Sequence, residues 1–236
     1  MITALKVAYY RHWLRQRGVK LSVDVTDLPK KAVLRMEEGC SIGKVETTFA
    51  DLQVGAMTYI RSDSELQNVS KIGRFCSISN AVVIGQEKAG HPLNWVSSHP
   101  MQYTGTQLHY SATAAPAEVG HDVWIGREAM ILEGVKIATG AVVATRSVVT
   151  RDVPPYCIVA GSPARIVRYR HADHVIAGLL ESAWWELPVD VLQRLSLDVP
   201  ERFLDQLKAL SSRELAVYRQ VEVSRQGCRE LRASTN

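Results

Sequence analysis

The sequence predicts a mainly β fold, a parallel β-helix of hexapeptide repeats, on three observations. Aliphatic side chains recur every six residues at Val54, Ile60, Leu66, Ile72, Ile78 and Ile84, and again at Val119, Ile125, Ile131, Ile137, Val143 and Val149. The next residue is small at Gly55, Gly73, Gly85, Gly120, Gly126, Ala138 and Ala144. Four places after the aliphatic comes a small or β-branched residue, as at Thr58, Cys76, Val82, Val123, Ala129, Val135, Ala141 and Ser147. Ordinary amphipathic strands have a period of two and irregular turns, so they would not hold a phase of six through two such trains. Each hexad predicts one short strand and one turn, with the aliphatic inside and the glycine letting the backbone corner tightly. Three hexads close one triangular coil, giving about five coils.

Residues 1–40 read as a short helix from Leu5 to Arg17 and a lead-in, with Lys6, Arg11, Arg15 and Arg17 on a solvated face. Residues 41–164 read as the β-helix domain. Ile42 extends the first train backward, although Thr48 breaks it. Between the trains, residues 85–118 form an inserted loop, and a loop of that length inside a compact domain is usually functional. It contains GHPLNWVSSHPMQY (90–103), with two His-Pro pairs, Trp95 and Tyr103. Pro154 and Pro155 lack backbone donors and end the coil. Residues 165–236 hold 21 charged residues, against 8 in 119–164, and only three of the 15 glycines lie outside 39–161. Val175, Ile176, Leu179, Leu180, Ala183 and Trp184 follow helical spacing, and Phe203, Leu207 and Leu210 suggest a second helix. This segment is expected to be an α-helical C-terminal appendage.

Composition narrows the function classes. The 236-residue chain is 46% hydrophobic and 22% charged, ordinary for a globular protein. A formal charge of +4 is too mild for a nucleic-acid binder and suits an anionic small ligand. No apolar run approaches a membrane span, and the N-terminal stretch has no signal-peptide h-region. Cys40, Cys76, Cys157 and Cys228 lack the spacing of a disulfide framework or zinc knuckle. His171 and His174 have HxxH spacing but no further ligands at metal-site spacing. These features predict a cytoplasmic protein without a metal.

The segment VGHDVWIGREAMILEGVKIATGAVVATRSVVTRDVPPYCIVAGSPARIV (119–167) resembles the acetyl-CoA-binding half of the hexapeptide acyltransferases. GHPLNWVSSHPMQY resembles the catalytic loop of their xenobiotic acetyltransferase branch, which includes type B chloramphenicol and streptogramin acetyltransferases. ESAWWELPVDVL (181–192) resembles the tryptophan-pair helix that follows the coil there. The resemblance implies a left-handed coil, acetyl-CoA as acyl donor, and a homotrimer in which His91 of one subunit faces cofactor-binding turns of the next. The segment VGAMTYIRSDSELQNVSKIGRFCSI (54–78) departs from the tyrosine-rich segment of the drug-modifying enzymes. It is closer to branch members that modify sugars.

Acetyl transfer to an alcohol needs a base for the attacking hydroxyl, and imidazole titrates near neutrality. By resemblance His91 is that base, in direct attack on acetyl-CoA. Resemblance also puts Gly126, Ala144 and Thr145 along the pantetheine arm. Thr150, Arg151, Arg165 and Arg168 match the phosphate and adenine end, where arginine suits phosphate. Trp95, His99, Tyr103 and Trp124 are candidate acceptor contacts, and His121 reads as a surface residue beside Asp122. The expected reaction is O-acetylation of a sugar hydroxyl on a surface polysaccharide or glycolipid precursor. The alternative acceptor is a drug, chloramphenicol or a streptogramin.

Overall fold

The computed structural model describes residues 2–112, 114–210 and 212–231. The chain winds into a triangular solenoid whose three faces are parallel sheets. The first face stacks Lys20–Leu21, Ser41–Ile42, Tyr59–Ile60, Ser77–Ile78, Trp124–Ile125, Val142–Val143 and Cys157–Gly161. The second stacks Glu46–Thr47, Glu65–Leu66, Val83–Gln86, Met130–Leu132 and Val148–Val149. The third stacks Val33–Glu37, Asp51–Val54, Val69–Ile72, Ala117–Val119 and Lys136–Ile137. Seven parallel strands on the first face make the solenoid longer than the five coils expected.

The six-residue trains become interior columns. On the first face Leu21, Ile42, Ile60, Ile78, Ile125, Val143 and Val159 sit in register. Met36, Val54, Ile72, Val119 and Ile137 do so on the third. All of these are buried, and burying such a side chain is worth roughly 1.5–3 kcal/mol. The break at Thr48 is a local slip: Thr47 pairs in register with Leu66, and buried Phe49 fills the corner.

The corners revise the role assigned to glycine. The residue three places after the aliphatic makes the turn, with φ of 59° at Met57, 61° at Phe75, 52° at Asp122 and 59° at Glu128. Glycine one place after the aliphatic is required by the neighbouring coil. A Cβ on Gly73 would lie 2.4 Å from the Gly120 carbonyl oxygen, and one on Gly126 would lie 2.5 Å from the Thr145 nitrogen. Backbones of successive coils therefore touch there, where no side chain fits.

Two expected boundaries move. The solenoid begins at Lys20–Leu21, within the residues expected to be lead-in, because this strand pairs with Ser41–Ile42. Helix α1 (Ile2–Arg15) precedes it and tucks Leu14 into the core. The C-terminal appendage is helical only in part. Ala164–Tyr169 folds back antiparallel on Cys157–Gly161. Helices α2 (Asp173–Ser182), α3 (Val189–Leu192) and α4 (Pro200–Lys208) follow, packed around Tyr156, Val175, Leu179, Phe203 and Leu207. Gln220–Ser224 and Gly227–Leu231 then form a hairpin, and Gln220–Ser224 pairs antiparallel with Val33–Glu37. Val221 and Val223 are buried there while Gln220, Glu222 and Ser224 are not, a period of two rather than 3.6. Residues 1, 113, 211 and 232–236 of the expected ranges lie outside the described residues.

Candidate active site

The inserted loop leaves the second face after Gln86 and rejoins the third at Ala117, so it springs from the corner between those faces. It has a small core of its own. Trp95 and Tyr103 meet edge to face with centroids 6.0 Å apart, and Tyr110 lies 5.9 Å from each. The Tyr110 hydroxyl lies 2.7 Å from the Ala89 carbonyl oxygen and 3.0 Å from that of His91, its one proton shared between them. Sequence reasoning misses Tyr110, which lies outside the recognisable motif and in no repeat.

His91 is exposed, and its Nδ1 lies 2.8 Å from the Ser98 carbonyl oxygen. A carbonyl only accepts, so Nδ1 carries the proton, and in the neutral ring the lone pair is on Nε2. The group that orients the imidazole is therefore backbone, which no side-chain pattern could announce. His99 plays a structural part, since its Nδ1 accepts from the Met101 N–H at 3.0 Å and caps the short helix Pro100–Gln102. Leu93, Val96 and Met101 stand exposed on the same loop.

The other sequence-derived residues fall elsewhere on the molecule. Gly126, Ala144 and Thr145 lie at the corner between first and second faces, where Gly126 N–H donates to Val143 O at 2.8 Å. Thr150 and Arg151 follow the topmost second-face strand, and Arg165 and Arg168 stand on Ala164–Tyr169. The three arginines are exposed, and the only side-chain hydrogen bonds of Arg165 and Arg168 among the described residues go to neighbouring carbonyls, Ala164 O and Tyr169 O. Their charges are available to an anion. Trp124 is 56% exposed on the outside of the first face, opposite the corner that carries the loop. One chain thus gathers His91, Trp95, His99 and Tyr103 on the loop but does not bring Trp124 or the Gly126 corner to them.

His121 differs most from its expected surface place. At the third corner it is partly buried, its ring stacked 5.0 Å from Trp185 at 11°. Its Nδ1 accepts the Arg74 backbone N–H at 3.0 Å. Burial first, and then the charges of Lys71 and Arg74, push its pKa down to about 4, so it is neutral at pH 7. Arg74 is the hub of this corner. Its Nε and Nη2 hold Glu37 in a fork (2.7 and 2.9 Å), and Nη1 reaches Glu186 at 2.5 Å. The tryptophan pair is thereby tied to the solenoid wall, away from the inserted loop. Burial alone would push the Glu37 carboxyl up, but hydrogen bonds from Arg74 and the Ala56 N–H together hold it below its ordinary value.

Among the described residues no group of three or more His, Cys, Asp or Glu side chains could hold a metal ion. His171 precedes α2 while His174 lies within it, so the HxxH spacing does not form a helical pair. No described helix is long and apolar enough to cross a membrane.

No protein-family model matches the chain. A chloramphenicol acetyltransferase of Morganella morganii is 41% identical over 142 residues, covering 57% of this chain and 68% of its own length. A probable macrolide acetyltransferase of Lysinibacillus sphaericus is 30% identical over 157 residues, covering 62% of this chain and 86% of its own. Among solved structures, a hexapeptide-repeat acetyltransferase of Vibrio cholerae is 29% identical over 57% of this chain and 75% of that one, with a TM-score of 0.43. The match to the relatives is one of sequence, and the structure of this chain is a solenoid of six-residue repeats. The chain therefore belongs to the xenobiotic branch of the hexapeptide-repeat acetyltransferases and is an acyltransferase.

Proposed function

We propose that this protein O-acetylates a hydroxyl-bearing drug-like acceptor from acetyl-CoA, with chloramphenicol as the first acceptor to assay. The observation that carries the reading is His91, held through Nδ1 by the Ser98 carbonyl, with its lone pair on Nε2, on an exposed loop. In the reaction Nε2 takes the acceptor proton as the hydroxyl oxygen attacks the thioester carbonyl. A C–O bond forms, the C–S bond breaks, and the imidazolium returns its proton to the departing thiolate. Such general base catalysis contributes roughly 10²–10⁴-fold. The exposed cations of Arg151, Arg165 and Arg168 fit the phosphates of the donor, and the close-packed corner at Gly126, Ala144 and Thr145 fits its extended arm.

Two considerations favour a drug over the sugar expected from residues 54–78. The relatives matched over more than half of this chain are, by their names, chloramphenicol acetyltransferases and a probable macrolide acetyltransferase. Leu93, Val96 and Met101, exposed on the same loop as His91, offer apolar surface better suited to a drug ring than to a polyhydroxylated sugar. Because His91 and the Gly126 corner stand apart on one chain, the reading includes a homotrimer in which neighbouring copies complete the site.

The test is release of free thiol from acetyl-CoA, with chloramphenicol, a streptogramin, a macrolide and a panel of sugars, for wild type and His91→Ala. Turnover on a drug that falls at least about 100-fold in the variant is expected. Turnover on sugars alone would return the acceptor to a saccharide. Full activity in the variant would remove His91 as the base.

A further inference from the structure

The neck of the catalytic loop is held by a buried polar bridge that the repeat itself does not need. Asn68 and Glu133 each lie two places after an in-register aliphatic of the second face, Leu66 and Ile131. The coil between them is the one that opens into the loop, beginning at Ile84. Glu133 is only 5% exposed, one of the few polar side chains buried in the solenoid. Each of its carboxylate oxygens takes one neutral N–H donor. Oε1 accepts the Lys88 backbone N–H at 3.0 Å, and Oε2 accepts Asn68 Nδ2 at 3.2 Å. A buried carboxylate is costly unless hydrogen-bonded, so the site is justified by what it holds.

What it holds is both ends of the loop. Lys88 lies on the departing segment, two residues past the strand Val83–Gln86 and three before His91. The returning segment is gripped by Asn68, whose side-chain Nδ2 donates to Ala114 O at 3.2 Å and whose backbone carbonyl accepts the Ala117 N–H at 2.8 Å. Each end also shows an irregular register, between Ile84 and Gln86 on departure and between Ala117 and Glu118 on return. At Gly85, with φ 87°, the backbone presses so closely on Asn68 that a Cβ would lie 2.3 Å from its carbonyl oxygen. Regular coil pairing is therefore interrupted where the loop is anchored, and side chains take over.

We propose that Asn68 and Glu133 are positioning residues that clamp the neck of the loop and so set where His91 stands. The proposal rests on the reading of His91 as the base. The path from clamp to imidazole is short and continuous. Glu133 fixes Lys88, the Tyr110 hydroxyl fixes Ala89 and His91, and Ser98 O fixes the ring. A displacement of about 1 Å at a reacting group can cost on the order of 100-fold in rate.

The experiment compares Glu133→Ala, Asn68→Ala, Asn68→Asp and the double variant Asn68→Asp/Glu133→Gln, with His91→Ala beside them. Steady-state kinetics are run on the full chain, together with hydrogen exchange at the Lys88 and Ala117 amides. The alanine variants are expected to lower kcat by about 10- to 100-fold, with KM for acetyl-CoA unchanged and faster exchange at both amides. Asn68→Asp sets carboxylate against carboxylate and should lose activity. Adding Glu133→Gln restores a donor–acceptor pair across the bridge, but not the bond to Ala114 O, and should recover part of kcat. That recovery is not expected of residues that contribute only to stability, and it stays measurable if the alanine variants fail to fold. Unchanged kcat in the variants, with His91→Ala inactive, would overturn the clamp. If His91→Ala keeps its activity, the base assignment fails, and the amides judge the clamp alone. Exchange accelerated at least about tenfold in Glu133→Ala supports it, and unchanged exchange refutes it.

Discussion

Replacing Arg74 by methionine keeps the apolar stem of the side chain but removes the fork that holds Glu37 and the link to Glu186. In the native protein the Arg74 side chain is 13% exposed, Glu37 20% and Glu186 36%. Without the guanidinium, Glu37 keeps the Ala56 N–H at 2.8 Å as its remaining donor. Breaking one partner of a buried pair costs roughly 3–5 kcal/mol, because the other charge stays buried. The Glu37 contact belongs near the low end of that range, and the more exposed Glu186 contact adds about 0–1 kcal/mol. A loss of about 3 kcal/mol is expected, or about 6–12 °C in Tm at roughly 2–4 °C per kcal/mol for a chain of this size. Thermal unfolding followed by circular dichroism measures it. Arg74→Met/Glu37→Gln should recover part of the loss, since no unpaired carboxylate is left behind. A shift below about 2 °C in the single variant would refute the view that this corner is held by charge.

Acid should weaken the same corner. The folded pKa of His121 is depressed to about 4 from an ordinary 6.5, so its contribution is complete above pH 6.5 and is lost as pH falls toward 4. Glu37, also depressed, loses its share at the acid end of that window. Allowing for partial solvent exposure, His121 should account for about 2 kcal/mol, and His121→Gln should flatten denaturant midpoints between pH 7 and 5. Tyr110→Phe removes the hydroxyl that holds Ala89 and His91, and kcat should fall about tenfold with little change in KM for acetyl-CoA. Arg165→Ala/Arg168→Ala should raise KM for acetyl-CoA at least about tenfold and leave kcat within about threefold, at about 1.5–3 kcal/mol per lost charged hydrogen bond. Ser98→Ala should be silent in both constants, because the His91 partner is the backbone carbonyl; a large loss of kcat would show that the hydroxyl is needed.

The interior of the solenoid was legible because each coil repeats the same packing problem, and every solution leaves an aliphatic residue at the same phase. The loop was legible as the place where that phase stops. Contacts made once leave no such trace. Thr47 takes the aliphatic place through a one-residue slip, which the six-residue count reads as a break at Thr48. Val221 and Val223 meet Met36 and Leu34 across most of the chain, so their alternation was lost beside the helical spacing that precedes them. His121 looked like a turn residue until Trp185 covered it, and nothing near either residue in sequence signals the stack. Among the loop residues, the motif pointed to His91, but the atoms that orient it are a carbonyl and the hydroxyl of a tyrosine beyond the motif.

The antiparallel pairing of Val33 with Ser224 and Glu37 with Gln220 has a consequence for how the protein is made. During synthesis the coils can stack in the order they emerge, each on the one before. The first third-face strand must nevertheless wait, its outward N–H and C=O groups unpaired, until residues 220–224, far along the chain, have left the ribosome. Such a strand is a template for pairing with a neighbouring molecule. The late hairpin therefore competes with other nascent chains for one edge, and the yield of native protein should depend on how crowded those chains are while that edge stays open.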